Sequence, residues 1–301
     1  MDFINDLITG DRLEPAPSVL YVVGTPIGNL GDLSPRAKFI IKNVSLIACE
    51  DTRRSSQLLK SIGAKTNLLS FHKHNTKSRI PELIALLKQG QSIALISDAG
   101  LPGISDPGEE LVVEAKKSNF EVICIPGPCA ATTALLASGL PSRRFCFEGF
   151  LPTKSKDRKE SLEYIAQETR TIIIYESPHK LIKLLEELSE RCEEDRPIYV
   201  LRELTKLHEE CIGATIKSVL DHFSNKKPKG ELTIILGGTK LNKHKQISNS
   251  ELINKMKQLL DNNISASEAA RKISKETGYS RRILYSLLHQ SLLINKHKKK
   301  I

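Results

Sequence analysis

Short apolar runs alternate with segments of helical periodicity along most of the chain. The apolar runs predict buried strands at 19–23, 45–49, 68–71, 92–97 and 121–125. The segments between and after them predict helices at 35–43, 78–88 and 107–118, a helix that follows the turn 50–54 and ends near Ile62, and a helix that follows the turn 126–131 and ends near Ser138. This alternation is typical of an α/β fold with a largely parallel sheet that helices cover on both faces.

The rhythm breaks between Gly139 and Lys159, where prolines and a run of charges predict a linker and an exposed loop. A second α/β unit is expected beyond it, with strands at 171–175, 198–201 and 232–236 and helices at 179–190 and 216–223. From Ser248 the pattern is fully helical, at 249–261, 266–276 and 280–291, in the outline of a helix-turn-helix module. The expected domains are a leader at 1–17, α/β domains at 18–140 and 141–240, the helical module at 248–291 and a basic tail at 292–301.

One buried strand ends in a loop rich in glycine, proline and carboxylates. In S-D-A-G-L-P-G-I-S-D-P, Asp98 and Asp106 follow the run 92–97. Open α/β sheets bind ligands outside the carboxyl ends of their strands. In a parallel sheet, this loop and the other strand tips, 24–32, 49–54, 72–75 and 126–130, would share one edge. The sequence therefore predicts a small-ligand site there.

Charge is concentrated at the C-terminal end of the chain. Residues 241–301 carry 13 Lys and Arg against 4 Asp and Glu, which is +9 of the net charge of +10. A nucleic acid is the partner expected for such a segment, ahead of a membrane, although a basic tail kept for solubility is the alternative. No apolar run reaches the ~20 residues that span a bilayer, and the six cysteines contain no C-x-x-C pair. We expect free thiols and a cytoplasmic location.

Several chemistries are disfavoured by spacing. The first turn has G-x-x-x-G-x-x-G spacing, which is neither a dinucleotide nor a P-loop motif, and Pro26 removes a backbone donor from it. His72 and His74 lack a third ligand nearby, so no metal is expected. Two strand tips instead carry cations and donors suited to phosphates and bases. From the residues alone we expect a two-domain α/β enzyme with a small-ligand site and a basic helical end.

Seven motifs carry a resemblance to a known family. In order along 18–240 they are V-G-T-P-I-G-N-L-G-D, A-C-E-D-T-R, S-D-A-G-L-P-G-I-S-D-P-G, P-G-P-C-A, E-G-F-L-P, Y-E-S-P-H and R-E-L-T-K. Together they resemble the tetrapyrrole methylase superfamily and, within it, its ribosomal RNA branch. The resemblance implies two α/β domains with a cofactor cleft between them and a C-terminal helical module. It also implies a homodimer that transfers a methyl group from S-adenosyl-L-methionine to the ribose 2′-hydroxyl of a cytidine in the decoding region of 16S rRNA, within the 30S subunit.

Carried over position by position, the resemblance implies a cofactor site drawn from both domains. Its residues are Pro26, Ile27, Ser97, Asp98, Leu101, Cys129, Ala130, Glu176, Leu204 and Thr233. The first turn departs from the G-x-G-x-G-D pattern of many superfamily members, which argues against a glycine nest there.

Methyl transfer from a sulfonium depends mainly on alignment, and a ribose hydroxyl gains from a base or a cation that favours its alkoxide. The catalytic candidates are Glu50, Asp51, Arg53 and His72, and we hypothesise that Asp51 and Arg53 position the ribose and phosphate. The candidate RNA-binding residues are Arg53, Arg54, Lys73, Arg281 and Arg282. Two alternatives stay open: methylation of a small tetrapyrrole-like molecule, and nucleic-acid binding without catalysis.

Overall fold

The computed structural model of the chain describes residues 15–225, 228–240, 249–262, 264–277, 281 and 283–288. The chain divides into two compact units, Met1–Thr239 and Lys240–Ile301. The first unit contains two five-stranded sheets, and the second is helical in the part that the structure describes. No helix in the described part of the chain is both long enough and apolar enough to cross a membrane.

The first sheet is entirely parallel, as the sequence predicts. Its strand order is β3-β2-β4-β1-β5. The strands are β1 (Val19–Val23), β2 (Leu46–Cys49), β3 (Leu68–Ser70), β4 (Ile93–Ile96) and β5 (Glu121–Ile125). The helices that follow them in turn are α1 (Pro35–Asn43), α2 (Thr52–Ile62), α3 (Thr76–Lys88), α4 (Glu109–Lys117) and α5 (Ala130–Ser138).

Local sequence explains where the helices begin. Ser34 caps α1 by accepting a hydrogen bond from the Ala37 amide at 3.1 Å, and Pro35 occupies the first turn, where a helix needs no donor. Asp51 caps α2 by accepting from the Arg53 amide at 2.8 Å. Because Asp51 caps α2, this catalytic candidate is held at the carboxyl edge of the sheet.

The tips of β1, β4 and β5 are joined directly. The Thr25 amide donates to the Gly100 carbonyl at 2.9 Å, and the Gly100 amide donates back to Thr25 at 3.2 Å. Gly24 packs its backbone on Gly127, because a Cβ built on Gly24 would lie 2.6 Å from the Gly127 Cα. Gly24 thus serves close packing between strand tips.

The second sheet is mixed, with strand order β6-β7-β10-β8-β9. Only β6 and β7 pair in parallel; the other neighbours are antiparallel. The strands are β6 (Phe145–Phe150), β7 (Thr171–Glu176), β8 (Pro197–Arg202), β9 (Glu210–Thr215) and β10 (Leu232–Leu236). The helices of this domain are α6 (Ser155–Gln167), α7 (Leu181–Ser189) and α8 (Ile216–Asn225).

The prediction of a linker and loop over 139–159 was wrong. This segment contains β6 and the start of α6. β6 is an edge strand with mostly exposed side chains, so it shows no buried apolar run. The charges after it lie in the first turns of α6. The edge strand β9 was missed for the same reason as β6.

Helix α5 joins the two domains of the first unit. It packs on β7, β8 and β10 of the second sheet. Its Ala131, Ala134 and Leu135 belong to one buried cluster with Ile27 of the first domain and Ile173, Leu201, Leu204 and Ile235 of the second. Small alanine side chains let this helix approach the sheet closely, which explains why it is apolar without a clear polar face.

The second unit contains α9 (Asn249–Asp261), α10 (Ala266–Thr277) and a helical segment at 283–288. They pack around a core that includes Leu252, Met256, Ile273, Leu284 and Leu288. The Arg281 side chain is exposed. Arg282, residues 1–14 of the expected leader and the tail at 292–301 lie outside the described residues.

Candidate active site

A cavity of about 340 Å³ lies between the two α/β domains of the first unit. Strand tips and loops of both domains line it, with α5 at one end. Seven of the predicted cofactor residues are among its walls: Ile27, Leu101, Cys129, Ala130, Glu176, Leu204 and Thr233. The structure thus brings together residues that are up to 206 positions apart in the sequence.

Three other predicted cofactor residues do not line this cavity. Pro26 is half-buried beside Ile27. Ser97 is buried and its hydroxyl donates to the Ala99 carbonyl at 3.1 Å, so it shapes the loop after β4. Asp98 faces the neighbouring tip, where it accepts from the Asp51 amide at 3.1 Å and lies 3.3 Å from the Arg54 guanidinium. Their roles in cofactor binding stay predictions.

Asp106, one of the two carboxylates in the loop where the sequence predicts a ligand site, lines the cavity. Burial raises the pKa of Asp106, the nearby charge of Asp98 raises it further, and a hydrogen bond with Ser97 and the charge of Lys73 oppose the shift. In the sequence, its position at the end of the glycine-rich loop indicates that it can reach a ligand at this edge of the sheet. A half-buried carboxyl with a raised pKa at a cavity wall is suited to accept a proton.

The catalytic candidates Glu50 and Asp51 are adjacent but differ in environment. The Arg53 side chain donates to both carboxylate oxygens of Asp51, at 3.1 and 2.7 Å, and this pairing lowers the pKa of Asp51 to about 2. Burial, together with the charges of Asp106 and Asp98, raises the pKa of Glu50. Asp51 is therefore a poor base that orients Arg53, whereas Glu50 has the greater proton affinity.

His72 belongs to a turn before α3. Its Nδ1 accepts from the His74 amide at 3.3 Å, and its own amide donates to the Asn75 side chain at 2.8 Å. Lys73 between the two histidines is exposed, and its charge lowers the pKa of both Glu50 and Asp106. Lys73 therefore lies on the same edge as these carboxyls. No group of three metal-binding side chains was found among the residues that the structure describes.

The second domain contributes a buried charge network. Arg158, 7% exposed, donates to Glu187 with Nε at 2.9 Å and Nη2 at 2.7 Å. Its Nη2 also lies 3.7 Å from Glu176, whose other carboxylate oxygen accepts from the Ser177 amide at 2.8 Å. Buried charges require such partners. Arg158 was missed because a charged run usually indicates a solvated surface.

Comparison with known proteins agrees with this architecture. A family model described as Tetrapyrrole (Corrin/Porphyrin) Methylases matches residues 19–220. A uroporphyrin-III-C-methyltransferase from Thermus thermophilus has a similar fold, with a TM-score of 0.55 at 20% identity, over 73% of this chain and 94% of that one. A cobalt precorrin-4 methyltransferase gives a TM-score of 0.54 at 16% identity, over 73% and 95%. Fold, cavity and family model define the class of protein as a tetrapyrrole methylase.

Curated relatives narrow the class. A protein from Synechocystis sp. is 45% identical over 89% of this chain and 96% of its own length. One from Haemophilus influenzae is 44% identical over 89% and 95%, and one from Thermotoga maritima is 45% identical over 73% and 98%. All three are named ribosomal RNA small subunit methyltransferase I. The chain belongs to this family of methyltransferases.

Proposed function

We propose that this protein methylates the ribose 2′-hydroxyl of a cytidine in the decoding region of 16S rRNA, with S-adenosyl-L-methionine as the methyl donor. The name that the relatives carry supports rRNA as the substrate. We further propose that it acts on the 30S subunit, as a homodimer, in the cytoplasm. The observation that carries the proposal is the presence of Arg53, Arg54 and Lys73 on the strand-tip edge that also borders the cavity.

The cavity fits the donor in size and chemistry. Its volume of about 340 Å³ is within the range of small-molecule sites. Its walls are mostly apolar, and Asp106 adds a carboxylate that suits a cationic ligand, whereas Glu176 and Glu231 are already paired with Arg158 and Lys206. When bound, S-adenosyl-L-methionine supplies an electrophilic methyl group on a sulfonium that leaves as a neutral thioether. Ile27, Leu101 and Leu204 would hold its apolar parts.

The chain's own residues would orient the hydroxyl and accept its proton. Glu50 and Asp106, whose pKa values are raised, are the candidates for the proton acceptor. Asp51 fixes the Arg53 guanidinium, which is 87% exposed and can contact a phosphate. His72 is still a catalytic candidate from the sequence, but it does not line the cavity.

The basic helical end supports a polyanionic substrate. It carries nearly all of the net charge, and Arg281 is exposed on it. The alternative is methylation of a small tetrapyrrole-like molecule. Binding of such a substrate would not require a basic helical end. Removal of residues 240–301 tests this contribution: we expect it to raise KM for 30S subunits, because the truncated chain loses most of the positive charge, whereas turnover of a small molecule should not change.

The direct test is incubation with labelled S-adenosyl-L-methionine and 30S subunits, naked 16S rRNA or no RNA, followed by mapping of 2′-O-methyl groups. We expect label on one cytidine, and loss of label in Asp106→Ala. Asp221→Ala, which removes an exposed carboxylate on α8 that does not line the cavity, is the matched control that keeps activity. Cofactor binding without label on any RNA would contradict the proposal.

A further inference from the structure

Phe150 is an aromatic side chain that lines the cavity and is still 60% exposed. The chain has few aromatic residues, 5% of the total, and no tryptophan. A phenylalanine in this position adds little to a core, and an exposed apolar group at a cavity indicates a binding surface.

A break in the strand register gives Phe150 its direction. Phe145 pairs with Thr171 and Phe147 pairs with Ile173, but the register then shifts, so that Phe150 pairs with Tyr175. Alternation along an unbroken strand would place residue 149 on the Phe147 face and turn Phe150 to the other side. The extra residue of the bulge returns Phe150 to the same face as Phe147.

That face is turned toward the first domain. Ile173 on it belongs to the cluster that α5 and Ile27 complete, whereas Ile172 and Ile174 on the opposite face belong to the core of the second domain. Without the bulge, Phe150 would be directed toward that core. The bulge therefore directs the Phe150 ring toward the cavity. In a regular strand this ring would lie on the opposite face.

Gly149 makes the bulge possible. Its φ of +59° lies in the left-handed region. A Cβ on this residue would lie 2.9 Å from the hydroxyl oxygen of Ser105, which itself lines the cavity. The bulge is thus in close contact with the loop after β4 that supplies Asp106.

Tyr175 packs against the Phe150 ring. The Tyr175 hydroxyl accepts from the Ala131 amide at the start of α5, at 3.1 Å. Phe147 packs edge-on against Tyr175 at a centroid distance of 5.1 Å, and Phe150 lies at 5.6 Å from it. The three rings therefore form an aromatic cluster anchored to the helix between the domains.

We propose that Phe150 stacks on the base of the nucleotide whose ribose is methylated, a role that rests on the proposed function. RNA-binding proteins commonly recognise unpaired bases by stacking them on aromatic side chains. Stacking on Phe150 places the base beside the cavity, while Arg53, Arg54 and Lys73 on the opposite domain are available for the phosphates. The ring determines the position of the nucleotide and has no part in proton transfer.

The test compares Phe150→Leu, which removes the ring but keeps an apolar side chain, with Phe150→Trp, which keeps an aromatic face. Tyr164→Leu removes an exposed ring on α6 that does not line the cavity, and is the matched control. We expect Phe150→Leu to raise KM for 30S subunits by roughly 5- to 140-fold, the range of losses for one stacked base. Phe150→Trp and Tyr164→Leu should stay within twofold of wild type.

The KM measurement decides the stacking role, and two further measurements on the same proteins test other roles of the ring. A KM for 30S subunits unchanged in Phe150→Leu would overturn the stacking role. Weaker binding of S-adenosyl-L-methionine by calorimetry would assign the ring to the cofactor site instead. A lower mass in sedimentation would show that a second copy of the chain covers it.

Binding of 30S subunits, measured by co-sedimentation, separates this inference from the proposed function. Binding that Phe150→Leu weakens, without methylation by the wild type, would contradict the function and support the stacking. Methylation by the wild type with equal binding by both proteins would support the function and overturn the stacking. Absence of binding to 30S subunits by the wild type would overturn both.

Discussion

Two charged networks, one in each α/β domain, differ in their access to water. In the first domain, Asp51 holds an Arg53 side chain that is 87% exposed. In the second, Arg158 is 7% exposed and is held by Glu187 and Glu176. An exposed arginine can exchange solvent for a phosphate at little cost, whereas a buried one cannot leave its partners. The first network is suited to bind a substrate and the second to fix a cavity wall.

The largest effect should come from breaking the buried network. Arg158→Met leaves the Glu176 and Glu187 carboxylates without their cation, and we expect the free energy of unfolding to fall by about 3–5 kcal/mol. Urea denaturation measures this change. The matched control is Arg79→Met, which breaks an exposed pair with Glu82 and should change stability by about 0.5 kcal/mol or less. Equal losses in the two variants would show that burial does not distinguish the networks.

An intermediate effect, on substrate affinity alone, is expected in the exposed network. Arg53→Ala removes a cation that we assign to phosphate contact, so KM for 30S subunits should rise several-fold with little change in stability. The slope of log KM against log salt concentration should fall by about 1. Lys60→Ala, at the far end of α2, is the control that should leave this slope intact. An unchanged slope in Arg53→Ala would remove Arg53 from the RNA interface.

The smallest effect is a difference in pH dependence between two carboxyls of the first domain. Because burial raises the pKa of Asp106, its ionisation destabilises the fold as pH rises above its ordinary value of 3.8. Asp106→Asn should therefore gain stability relative to wild type between pH 4 and pH 7. Asp51, with a pKa of about 2, stabilises the fold above pH 3.8 and loses this contribution as pH falls toward 2.

Asp51→Asn should accordingly lose stability relative to wild type at pH 7, and this loss should disappear near pH 2. Urea denaturation of both variants and the wild type across this range measures the two trends. Trends of the same sign in the two variants would contradict the assigned environments of Asp51 and Asp106.

Sequence predicts the first domain better than the second for a physical reason. β1 and β4 are buried on both faces, so their composition alone identifies them as strands. β6 has an exposed aromatic face and a bulge next to Gly149. Its sequence therefore shows neither an alternation of apolar and polar residues nor a buried apolar run. Helix α6 was missed because its first turns carry the run of charges that predicted an exposed loop.

The site divides in the same way. Ile27, Leu101 and Ala130 follow strands whose carboxyl ends share an edge, so their proximity could be predicted. The contact between Arg158 and Glu176 depends on how α6 packs on β7, which no local pattern encodes. The direction of Phe150 depends on one inserted residue, and a sequence pattern that assumes regular alternation gives the wrong face.

Helix α5 has a consequence for how the cavity could be redesigned. It lies between the domains with Ala131 and Ala134 in the cluster that joins them. A larger side chain at either position would have to be accommodated by moving the domains apart, since the interior has no empty volume to receive it. The small size of these two residues therefore limits how closely the two domains approach each other at this helix, and we expect larger side chains there to change the width of the cavity at a cost in stability.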